Sequence, residues 1–109
     1  MKKKVKKVQG FVQNKKTGHP SYAFKQKQRR VEAIGVTHDG DETHGAKIKL
    51  KHNVNPEDDR DCYIKVKVEV QDCATYKEKA KMKGWRVHSE DQPTIDTIIK
   101  QTKKHKKRR

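Results

Sequence analysis

The stretch Tyr63 to Val70, YIKVKVEV, leaves the chain around it few choices. Ile64, Val66, Val68 and Val70 alternate with Tyr63, Lys65, Lys67 and Glu69. Side chains switch faces at every residue of a strand, so this segment is a strand with one apolar face and one basic face. A helical winding would scatter the four branched side chains around its axis. The apolar face has to be covered and the basic face has to stay wet. One such strand is not stable alone, so the rest of the chain must supply strand partners and a lid.

Partners are available upstream. Val8 to Gln13 is a weak strand candidate, and Asn14 to Gly18 (NKKTG) is a turn. Ser21 to Lys25 puts Tyr22 and Phe24 on one face, Lys27 to Arg30 is a short polar turn, and Val31 to Thr37 resumes the extended pattern. Residues 19–37 therefore read as a hairpin, with Gly35 at a bulge or bend. Ala46 to Lys51 (AKIKLK) is a further strand with Ile48 and Leu50 inward, followed by a polar loop over residues 52–61.

After Val70 the period changes. Asp72 is placed to cap a short helix through Met82, with Tyr76 and Ala80 on one side and Gly84 as its stop. Trp85 to His88 reads as a last short strand. Ser89 and Gln92 have capping-box spacing, and Ile95, Ile98 and Ile99 form a narrow apolar stripe suited to docking on a sheet. Pro93 fits only the first turn of that helix. The fold class expected is α+β: a small, strongly bent antiparallel sheet or barrel with a C-terminal helix.

Only 29% of the residues are hydrophobic and 39% are charged, so the core must be small. The net charge of +15 is concentrated at the ends. Residues 1–7 hold five lysines, and residues 103–109 hold Lys103, Lys104, Lys106, Lys107, Arg108 and Arg109. Neither end contains an acid, so residues 8–102 keep 18 bases against 14 acids, or +4. The pattern predicts a single domain over 8–102 between two extended, disordered basic tails, 1–7 and 103–109. Such tails bind polyanions by releasing condensed counterions. An acidic protein partner is the other class they suit. No apolar run approaches the ~18–20 residues of a membrane span. The basic start lacks the apolar segment of a secretory signal, so the expected location is the cytoplasm. Cys62 and Cys73 make no metal motif; a single disulfide is one reading, and a reduced pair is the expected one. No cofactor motif is present.

Two kinds of site can be built from these residue types. The first is a binding face. Lys47, Lys49 and Lys51 share one strand face, Lys65 and Lys67 share another, and Tyr63 beside Lys65 could stack a base. Nucleic acid is the expected partner, RNA before duplex DNA. Tyr22, Phe24 and Trp85 read as core. The second is a metal-independent RNA-cleaving centre, which needs a base, an acid and a cation. His19, Thr37, His38, Arg60 and Tyr63 are of the right types and sit at strand ends or loops. THDGDETH (residues 37–44) encloses three carboxylates between two histidines. A metal reading would need His38, His44 and His52 to meet, but the spacing fits no standard motif, and Asp-Gly is a turn signal. Glu57, Asp58, Asp59 and Asp61 likewise read as turn chemistry, so no metal is assigned.

The runs GHPSYAF, GVTHDGDETHG and KIKLKHNVNPEDDRDCYIKV resemble small uncharacterised proteins carried on bacterial mobile elements. Their pattern is His-Pro, Tyr, Thr-His, Leu, Asn-Pro, Asp, Arg, Tyr, and it covers about residues 18 to 64. The order also resembles the small-barrel endoribonuclease toxins, in which a threonine at a strand end and a basic residue frame the RNA. Thr37 and Arg60 are the matching types. The resemblance implies a prokaryotic, intracellular, RNA-related protein.

Overall fold

The computed structural model describes residues 7–43, 45–79 and 82–107, with side chains to residue 102. Six strands form one antiparallel sheet: β1 (Gly10–Asn14), β2 (Pro20–Lys27), β3 (Arg30–Thr37), β4 (Lys47–Lys49), β5 (Tyr63–Asp72) and β6 (Tyr76–Lys77). The helix α1 (Gln92–Lys107) follows. The strand order is β4-β5-β3-β2-β1-β6, and the two ends do not pair with each other. The sheet is therefore open rather than closed into a barrel. Among the described residues no helix is long and apolar enough to cross a membrane.

The expected hairpin is β2–β3, joined by Gln28 and Arg29. Gln28 takes φ 54°, the left-handed conformation that a two-residue hairpin loop demands, and its carbonyl accepts from Gln26 Nε2 at 2.8 Å. Gly35 lies where the β3–β5 register slips, between Ile34↔Val68 and Val36↔Ile64. A Cβ there would stand 3.0 Å from Lys65 Cδ, so the glycine leaves room for the lysine stem. β4 reaches only Lys49, and it pairs only with Tyr63, Ile64 and Lys65 of the ten-residue β5. Ile48, expected inward, is 39% exposed because this short edge strand has little over it, whereas Leu50 is buried.

Each face of the sheet has its own apolar cluster. One gathers Phe11, Ile34, Val36, Leu50, Val54 and Ile64 under Ile95 and Ile98 of α1. Tyr22, Phe24 and Trp85 pack against it, with Phe11 5.1 Å from Tyr22 and 6.0 Å from Trp85 between ring centroids. These aromatics are core, as the sequence suggests. The other cluster is Val8, Val12, Ala23, Val31, Ala33, Cys73 and Tyr76. Cys62 and Cys73 belong to different clusters and are free buried thiols.

Three segments differ from the sequence reading. Asp72 does cap, accepting Ala74 N–H at 2.8 Å, but the turn is a 3-10 helix of only Cys73–Thr75. Tyr76 is then drawn under the sheet and pairs with Asn14 as β6. Residues 85–88 form no strand; Arg86 N–H bonds Val54 O at 2.9 Å instead. Helix α1 starts at Gln92 with Pro93 in its first turn, as expected, but its backbone continues to Lys107. Arg108, Arg109 and residues 1–6 lie outside the described residues.

Candidate functional site

The β4–β5 register decides where the lysines point. Lys47 lies opposite Lys65, and Lys49 lies opposite Tyr63. Directly opposed residues of an antiparallel pair project to the same face. Lys67 follows two residues after Lys65, while Val66 and Val68 turn to the helix-covered cluster. The two lysine faces read from the sequence are therefore one: Lys47, Lys49, Lys65 and Lys67 with Tyr63 between them. Lys51 lies beyond β4, and its N–H is held by Asp91 at 2.8 Å. Of the four, only Lys49 is ion-paired among the described residues, to Asp61 at 3.4 Å. Lys47 Nζ donates to the Asp39 carbonyl at 2.9 Å. The Tyr63 ring is half-buried against the loop: a Cβ on Gly40 would stand 2.7 Å from its Cζ. One side of that ring is thus already occupied.

THDGDETH forms its loop by a repeated device. Thr37 Oγ1 accepts Asp39 N–H (3.1 Å), Asp39 Oδ1 accepts Asp41 N–H (2.9 Å), and Asp41 Oδ1 accepts Thr43 N–H (2.9 Å). Short polar side chains bonding the amide two residues on are turn formers. The 52–61 loop repeats the device, with Asn55 N–H on Asn53, Glu57 N–H on Asn55 and Arg60 N–H on Asp58. Asp39, Asp41, Glu42 and Asp58, among the carboxylates that suggested metal ligands, are holding backbone amides. His44 lies outside the described residues. His38 and His52 have separate partners, so these two do not form the metal centre considered for them.

Between these loops lies a cleft of about 540 Å³ whose lining includes His19, Thr37, His38, Asn53, Asp58 and Arg60. Four of the five candidate cleavage residues are thus brought together; Tyr63 is not in the lining. His38 Nε2 is 3.1 Å from Asn53 Nδ2 and 3.6 Å from Asp58 Oδ2. Asn53 Nδ2 also donates to Arg60 O within its own loop, so one amide group meets both His38 and the far end of the 52–61 loop. Arg60 grips Asp58 in a fork, Nε to Oδ1 at 3.0 Å and Nη2 to Oδ2 at 2.6 Å. That fork holds the Asp58 carboxyl well below the usual carboxylate range. It also offsets Arg60, the one lysine or arginine among the described residues that line the cleft. The cleft has histidines for proton transfer, with its arginine already neutralised, whereas the lysine face has charge with little opposing it. The importance of Asp58 and Asn53 was hidden in the sequence by their value as turn residues.

Comparison with protein-family models, with curated proteins and with solved structures returns no match to this chain.

Proposed function

We propose that this is a small nucleic-acid-binding protein that holds a single strand, RNA in preference to DNA, across the lysine face of β4 and β5. The observation that carries the reading is the register Lys47↔Lys65 and Lys49↔Tyr63, which gathers four lysines and an aromatic on one surface. Phosphates following that surface would release counterions, and the basic residues of 103–109 add to the same field. The test is fluorescence anisotropy on labelled single-stranded RNA, single-stranded DNA and duplex DNA across a salt series. Affinity should fall steeply with salt. Replacing the four lysines by glutamine should flatten the log–log slope by roughly 3, at about 0.7 per phosphate contact on a single strand. An unchanged slope removes this face from the reading.

A second reading, a metal-independent endoribonuclease of toxin type, is favoured by the meeting of His19, Thr37, His38 and Arg60 in one cleft. A histidine would take the 2′-hydroxyl proton and its partner would protonate the leaving oxygen. RNA incubated with the protein in EDTA separates the two. Cleavage lost on His38→Ala or His19→Ala supports the enzyme; bound, intact RNA supports the binding protein.

A further inference from the structure

His52, His88 and Glu90 are brought together beside the 52–61 loop, none of them lines the histidine cleft, and neither functional reading uses them. One ligand atom from each lies within 4.8 Å of the other two. His52 Nε2 is 2.6 Å from Glu90 Oε1, and His88 Nδ1 is 3.9 Å from the same oxygen. The two imidazoles stack with centroids 3.7 Å apart and planes 23° apart. His52 and His88, with Arg86, help to line a cavity of about 760 Å³.

The backbone beneath them is fixed by one buried carboxylate. Asp91 is 2% exposed and accepts the amides of Lys51 and His52 at 2.8 and 2.9 Å. Its own amide bonds the His88 carbonyl at 2.8 Å. The segment carrying His52 and the turn carrying His88 and Glu90 are therefore locked to each other, and only side-chain rotation remains to be paid on binding an ion.

We propose that His52, His88 and Glu90 form a binding site for a divalent transition metal, with zinc the best match, leaving the fourth position to solvent or an outside ligand. Two imidazoles and a carboxylate are a zinc donor set, whereas calcium and magnesium seek more oxygens. Metal bonds of about 2.0–2.2 Å in a tetrahedron place ligand atoms roughly 3.4 Å apart, between the 2.6 and 3.9 Å seen. Imidazole lone pairs lie in the ring plane, so one ring must turn out of the stack, and His88 Nδ1 must give up the Glu90 N–H it accepts at 3.1 Å. Both side chains are about two-fifths exposed, which leaves room for that turn. Lys51 and Arg86 nearby make the site weaker than a closed structural one.

The test is calorimetric titration of the EDTA-treated full chain with zinc chloride, with magnesium as control. One zinc should bind, magnesium should not, and His88→Ala and Glu90→Gln should each weaken zinc roughly tenfold or more. No zinc binding, or unchanged affinity in His88→Ala, overturns the site. If a variant fails to fold, histidine-ring NMR of the unaltered protein decides: zinc should shift the His52 and His88 rings, and shifts confined to other histidines overturn it.

Discussion

On one face of the sheet Ile34, Ile64 and Phe11 lie beneath the isoleucines of α1; on the other Val12, Val31 and the opposed pair Ala23 and Ala33 lie beneath Tyr76. Both faces come from the same strands, but they are closed by different means. A helix brings its own large side chains and can cover the centre of a sheet. A 3-10 turn and a two-residue strand cover only a corner, so that face uses small residues there. Beyond the corner it stays wet and carries lysine. A chain with so few apolar residues has one face to spend on stability, and the other becomes available for charge.

The helix-covered face should be the more sensitive to loss of volume. Ile95 is fully buried, and Ile95→Ala should cost about 2–5 kcal/mol in urea unfolding. A loss under about 1 kcal/mol would mean α1 is not the lid. The opposite face should be sensitive to added volume instead. Ala33→Val, facing Ala23, should cost about 1–3 kcal/mol; a neutral result would show slack in the small cluster.

The lysine surface should behave differently from both. Lys47 and Lys65 are like charges directly opposed, an arrangement that destabilises a sheet. Lys47→Glu should therefore raise stability by about 0.2–1 kcal/mol while weakening RNA binding. If stability falls with binding, the lysine is structural and the face loses its functional meaning. The smallest effect is at the cleft. The folded-state Asp58 carboxyl is depressed, so its contribution is in place above the unfolded value of about 4 and is lost as pH falls below it. The stability gap between the unaltered protein and Asp58→Asn should be largest near neutral pH and shrink below about pH 4. Parallel pH curves would show that the Arg60 fork adds nothing.

Much of the fold was readable where one local signal had no rival. β5 declares itself by strict alternation, and α1 by Pro93 and three isoleucines. The segment after Asp72 misleads because the cap is real but no apolar stripe sustains a helix; burying Tyr76 against the sheet wins. The merged lysine face could not be read, because β4 pairs with β5 instead of its predecessor β3, and register between strands separated by a loop leaves no mark in sequence. The cleft residues were identifiable by type and by their place at strand ends. Their meeting depends on the side-chain turns of two loops. His88 and Glu90 gave no signal at all, being 36 and 38 positions from His52.

β4 protects little of its neighbour. Beyond Val66, whose amide reaches Ala46 O, no strand pairs with the outer edge of β5 among the described residues. Lys67 to Gln71 thus presents a stretch of strand backbone open to a second strand, with Val70 exposed on it. Open edges of this sort seed self-association, and alternating charges are the usual guard. Lys67 and Glu69 supply those charges here, so removing both would leave the open edge without its guard.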